Sequence, residues 1–127
     1  EAIGQAVRAW DSDKRVLILG TGGLSHQLEG ERAGFINKPF DLAFMDSLTT
    51  DPQWATQWNS AELVEKAGTQ GIELLMWLAA RAALGDGARE LHRNYHIPIS
   101  NTAAATLPRA AMVRATEEET VEGRAHR

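Results

Sequence analysis

No cysteine occurs anywhere in the 127 residues, which excludes disulfides, thiolate zinc sites, iron–sulfur clusters and a cysteine nucleophile. Any metal bound here is held by His, Asp or Glu. An excess of one charge is also missing: 13 Lys and Arg against 17 Asp and Glu leave a net charge of −4. That provides no general basic field for nucleic acid, and an anionic ligand would need local positive groups. Long apolar runs are scarce. The longest, Leu74 to Leu84, is interrupted by Arg81 and is too short for a bilayer, and the amphipathic N-terminus is not a signal peptide. Without a Gly-Lys-Ser/Thr step there is no P-loop. A soluble cytoplasmic protein, with neither nucleic acid nor membrane as partner, is expected.

What is present reads as one domain's worth of chain, with a hydrophobic fraction of 43% sufficient for a core. Ala2, Ile3, Ala6, Val7 and Trp10 recur at helical spacing and predict an amphipathic helix over Glu1 to Trp10. Val16-Leu17-Ile18-Leu19 follows, a short continuous apolar run of the kind that forms a strand buried on both faces, implying an α/β layer. Pro39 starts a helix through about Leu48 with Phe40, Ala43, Phe44 and Leu48 inward, and Asp51-Pro52 marks a turn. Ser60 caps a short helix over Ala61 to Lys66 that Gly68 stops, and a longer, nearly apolar helix runs from about Thr69 or Gln70 to Leu84. Arg89 to Ile99 reads as strand or extended chain leading to Ser100-Asn101-Thr102, and from Arg114 onward the alternating charges read as a disordered tail. Because the chain opens at Glu1 and is at once committed to helix and strand, a preceding portion is expected.

Gly20-Thr21-Gly22-Gly23-Leu24-Ser25-His26-Gln27 lies at the C-terminal end of the expected strand, where open α/β sheets place ligands. A histidine there can reach a bound substrate, and its ordinary pKa suits proton transfer near neutrality. A loop histidine bonded to backbone is the plainer reading. The same glycines partly resemble a dinucleotide fingerprint, with Asp41 about twenty residues on, but Ser25 replaces the third glycine and no clean helix follows. Glu73 stands in the first turns of the most apolar helix, where the macrodipole favours an acid. Burial there would demand a partner or a metal. His92 and His96 are four apart, yet Tyr95 and Ile97-Pro98 make the stretch extended, leaving them roughly 13 Å apart. Arg32, Lys38, Arg81, Arg89 and Arg93 are available anion partners, and Trp54, Trp58 and Trp77 are most simply core or interface residues.

Taken together, the run from Val16 to Gln27, the stretch Gly30 to Asn37, Phe40-Asp41-x-x-Phe44-Met45-Asp46, Ala67 to Trp77, and Tyr95 to Ala103 resemble, in order, the C-terminal half of class III extradiol ring-cleavage dioxygenases. Within that class the likeness is greatest to catalytic beta subunits of the protocatechuate 4,5-dioxygenase type. The resemblance covers residues 1 to about 105 and implies an α/β fold, part of a layered α/β/α domain over residues 1–113, with 114–127 as a charged tail.

It also implies Fe(II) as cofactor, held by two histidines from the N-terminal half and one glutamate that matches Glu73. His26 matches the acid/base histidine, and Ser100 and Asn101 match a stretch lining the substrate pocket. The implied reaction is extradiol (meta) cleavage of a catecholic acid such as protocatechuate by dioxygen, in aromatic compound catabolism. His26 would take a proton from the substrate and later act as an acid. Gallate or another catechol is the alternative substrate, and a Rossmann-like nucleotide-binding module the alternative from another class. The partners implied are the N-terminal half of the same subunit and a small helical alpha subunit. With one ligand of three, the isolated chain is expected to bind iron weakly and turn over poorly.

Overall fold

The computed structural model describes residues 1–111; the expected tail over 114–127, and the end of the domain expected to close at 113, lie outside the described residues. Four helices dominate: α1 (Ala2–Ala9), α2 (Lys38–Thr50), α3 (Ser60–Ala67) and α4 (Leu74–Leu84). Four short strands follow, β1 (Arg89–Glu90), β2 (Asn94–His96), β3 (Ala104–Thr106) and β4 (Arg109–Ala110). They form two antiparallel pairs, β1 with β4 and β2 with β3, the latter in the register Asn94–Thr106, Tyr95–Ala105 and His96–Ala104. The architecture is mixed α and β. No helix among the described residues is long and apolar enough to cross a membrane.

The helices follow from local chemistry. In α2, Asn37 accepts the Phe40 N–H at 3.2 Å and Pro39 occupies the first turn, where its missing N–H is no loss. Its inward face carries Phe40, Asp41, Phe44, Met45 and Leu48. The N-cap of α3 is Asn59 rather than Ser60: Asn59 Oδ1 accepts the Glu62 N–H at 3.0 Å while Glu62 Oε2 accepts the Asn59 N–H at 2.8 Å, a reciprocal capping box. Gly68, at φ 85°, ends this helix. The expected long helix from residue 70 begins as a 3₁₀ turn over Gln70–Glu73 before becoming α4, which ends at Gly85.

The core gathers Leu24, Phe40, Phe44, Met45, Leu48, Leu63, Leu74, Trp77 and Ala103. Trp54 and Trp58 pack on Phe40 with ring centroids 5.9 and 5.6 Å away, so all three candidate tryptophans are core or core-edge residues. At the other end α1 rests on α4: a Cβ added at Gly4 would fall 1.9 Å from the Ala83 carbonyl oxygen. Only glycine permits that approach.

The expected strand at Val16 to Leu19 does not form among the described residues. Among the described residues it joins no ladder, and Val16, Leu17 and Leu19 are 46%, 79% and 71% exposed. The physical reason is that an apolar run becomes a buried strand only when neighbours pair with its backbone on both edges, and the described residues supply none. The run instead forms one wall of an open apolar groove of about 510 Å³, opposite Leu48, Trp77, Ala80, Leu84 and Leu107.

Candidate active site

Just beyond the glycines the chain dives into the core: Leu24 and Ser25 are fully buried and His26 is 5% exposed. Its backbone is held on both sides. Leu24 N–H donates to Ala103 O (2.8 Å), Ala103 N–H to Ser25 O (3.2 Å), His26 N–H to Ala67 O (2.8 Å) and Gly71 N–H to His26 O (3.2 Å). Gly68 makes this possible, because a Cβ there would lie 2.3 Å from the His26 carbonyl oxygen. The imidazole Nδ1 sits 2.8 Å from Leu24 O. A carbonyl only accepts, so Nδ1 carries a proton, and in the neutral imidazole the lone pair is on Nε2. No described residue donates to Nε2, which leaves a fixed imidazole with its basic nitrogen free.

Behind His26 stands Asp41, fully buried on the inner face of α2. Its Oδ1 accepts the Ser25 N–H at 2.8 Å, and its Oδ2 accepts both the Ser25 hydroxyl at 2.6 Å and the Tyr95 hydroxyl at 2.7 Å. Ser25 Oγ in turn accepts the Asn37 N–H at 2.7 Å. Burial raises the Asp41 carboxyl above the ordinary carboxylate range; the donated hydrogen bonds from Ser25 and Tyr95 oppose this without cancelling it. The Tyr95 phenol is raised too, first by burial and then by its hydrogen bond to Asp41.

Glu73 arrives from another direction, at the junction of the 3₁₀ turn and α4. It is exposed, so the cost of burying a carboxylate gives no argument for a metal here. Its Oε2 accepts the Gly23 N–H at 2.8 Å, and Trp77 Nε1 donates to Gly22 O at 3.0 Å. The glycine pair is wedged: a Cβ at Gly22 (φ 129°) would meet Glu73 Cβ at 2.5 Å, and one at Gly23 would meet His26 Cε1 at 2.9 Å. Glu73 and His26 thus flank one glycine turn. Thr102 Cγ2 lies 3.1 Å from the same Gly23 Cβ position, so the 100–102 loop rims the turn. Ser100 and Asn101 are exposed at its tip, with Asn101 left-handed at φ 53°.

The other candidates lie elsewhere. His92 and His96 are exposed, and His96 belongs to β2, in keeping with the extended reading. Arg32 donates to Glu65 and to the carbonyl of Val64, Arg81 to the carbonyls of Leu48 and Gly85, and Arg93 to Glu90 and Asp46. The glycines open no helix, since residues 21–37 carry none, and a pyrophosphate site of the dinucleotide type lacks its helix N-terminus. The described residues hold no group of three metal-ligating side chains. Glu73 offers one exposed carboxylate, so these residues alone do not complete an iron site. Asp41 and Tyr95 are the members that sequence reasoning missed as parts of the site. The signal was a carboxylate at residue 41 in phase with Phe44, Met45 and Leu48 on an apolar helix face.

A buried imidazole and an exposed carboxylate thus stand on either side of one glycine turn. Residues 1–105 match the family of the catalytic LigB subunit of aromatic ring-opening dioxygenase, and the chain belongs to that family. It is 39% identical over 107 residues to a gallate dioxygenase of Pseudomonas putida, a match covering 84% of this chain and 31% of that protein. It is 34% identical, over an alignment of 146 residues, to a 2,3-dihydroxyphenylpropionate/2,3-dihydroxicinnamic acid 1,2-dioxygenase of Xanthobacter autotrophicus, covering 79% of this chain and 46% of that protein. The chain spans less than half the length of these relatives.

Proposed function

We propose that this chain contributes the carboxylate ligand and the acid/base histidine of an extradiol dioxygenase that opens a catecholic acid such as protocatechuate with Fe(II) and dioxygen, in cytoplasmic aromatic catabolism. The observation that carries this reading is the glycine turn clasped between Glu73 and His26, on residues within the family match. Bound iron would supply the redox chemistry that joins substrate to dioxygen. Glu73 would hold it together with donors from outside the described residues. His26, its proton fixed on Nδ1, presents Nε2 to take a proton from a substrate hydroxyl and return one later. Ser100 and Asn101, on the rim of the same turn, would orient the substrate's polar groups. A small helical alpha subunit would close the pocket.

We further place the run at residues 16–19 as an inner strand of a layered α/β/α domain, completed by the remainder of the catalytic subunit. In support, the run is apolar and exposed, it borders an apolar groove, and the side chain of Arg109 on the groove wall is 5% exposed with its Nε unpartnered among the described residues. An incoming segment would satisfy that donor as well as the strand edge.

The experiment is to prepare the complete catalytic subunit, load it anaerobically with Fe(II), admit oxygen, and follow the ring-opened product from protocatechuate and from gallate, with and without an alpha subunit. The gallate arm is warranted by the named activity of the 39%-identical relative. Faster turnover of protocatechuate supports the first reading, and faster turnover of gallate replaces the substrate only. No product from any catechol by an iron-loaded subunit would sink the activity itself.

A further inference from the structure

We propose that Asp41 is the positioning residue of His26 and the joint that keys it to the substrate loop, an inference that rests on the acid/base role assigned above. A carboxylate buried without a cation is an expensive way to hold a fold together, since a matched apolar pair would do the same at lower cost. None of the ion pairs among the described residues includes Asp41. Instead it collects three donors from two separate elements. Two come from Ser25, through the N–H at 2.8 Å and the hydroxyl at 2.6 Å. Gripping one residue by both backbone and side chain fixes its torsions, and the next residue is His26.

The third donor is the Tyr95 hydroxyl at 2.7 Å. Tyr95 lies in β2, whose exit runs through Pro98 to the loop carrying Ser100 and Asn101. One oxygen, Oδ2, is therefore shared between the segment that carries the base and the strand that carries the rim. Asn37 N–H, the N-cap of α2, closes the network on Ser25 Oγ at 2.7 Å. Nothing in this network touches the side chain of Glu73, so metal retention and base placement are separable.

The test is a double-mutant cycle in the complete iron-loaded subunit. Asp41→Asn preserves the shape, and the Ser25 and Tyr95 hydroxyls can turn to accept from the new amide. It is expected to lower kcat by roughly tenfold to a hundredfold at unchanged iron content, the scale of a small misplacement at a reacting group. In a His26→Ala background the same change is expected to have no further effect. Ser25→Ala should reproduce the loss and Ser25→Thr, which keeps the hydroxyl, should recover most of it. Unaltered kcat in Asp41→Asn, or equal losses with and without His26, would overturn the proposal. Should the wild-type subunit open no catechol, the proposed activity fails, and the positioning role is read by nitrogen NMR of the histidines. A single Nδ1–H tautomer of His26 that becomes averaged in Asp41→Asn supports it, and an unchanged tautomer overturns it.

Discussion

The two flanks of the glycine turn make a sharp contrast. On the upstream side Val16, Leu17 and Leu19 are 46–79% exposed and bond to no other strand among the described residues, while downstream Leu24, Ser25 and His26 are at most 5% exposed and their backbones are bonded to Ala103, Ala67 and Gly71. The apolar flank lies open and the flank containing serine and histidine is buried. Burial is thus decided by where backbone and side-chain partners are available, not by hydrophobicity alone.

The largest expected effect sharpens the division of labour around the turn. In the complete subunit Glu73→Ala should abolish iron retention, whereas His26→Ala should keep the iron and slow ring opening by about 10²- to 10⁴-fold; metal analysis beside turnover checks both, and equal metal loss in the two variants would end the distinction. Next comes a direct attack on the contrast. Leu17→Asp should leave the unfolding free energy of the isolated chain within about 0.5 kcal/mol, as at any exposed site, and yet destabilise the complete subunit by about 3 kcal/mol, the value of a buried leucine plus an unpaired charge. Equal effects in the two would show that the run never becomes covered.

Gly22→Ala should destabilise by about 1–3 kcal/mol in urea titration, because its φ of 129° and the 2.5 Å approach of Glu73 Cβ admit no side chain. The Asp41 carboxyl gives a pH test of the buried flank. Its folded pKa is raised, so its contribution is fully present below the ordinary carboxylate value and is lost as pH rises through the raised one. The stability of the wild type relative to Asp41→Asn should therefore fall as pH rises above the ordinary carboxylate range; a flat difference would contradict the burial. Smallest, Asn59→Ala should cost about 1 kcal/mol by removing the α3 capping box, far from the turn and without effect on metal retention.

Much of this was legible in the residues. The Pro39 start and inward stripe of α2, the Gly68 and Gly85 stops, and the extended chain around His92 and His96 were all readable because each depends on local chemistry. The cap of α3 was misplaced by one position, since Asn59 and Ser60 are both competent and only the reciprocal bond with Glu62 decides. What local pattern could not supply was partnership. The run at residues 16–19 has the composition of an inner strand and no strand beside it among the described residues, and the hydrogen bonds of Asp41 reach Ser25 and Tyr95, which are 16 and 54 residues away. Glu73 and His26 were legible as residue types, but their meeting across Gly22 and Gly23 needed the fold.

The close seat of Gly4 on Ala83 has a consequence for assembly. With Arg8 Nη1 also donating to Ala83 O at 3.1 Å, α1 is moored to the far end of α4, while Gly20 is pressed against Met76 and Ala80 within its first two turns. The intervening chain is a span hung between two piers on a single rigid helix, roughly 16 Å long at 1.5 Å per residue. A segment docking on this run, as proposed above, would meet an edge whose two ends are already anchored, and the entropy surrendered on docking would be that of a short closed loop instead of a free arm.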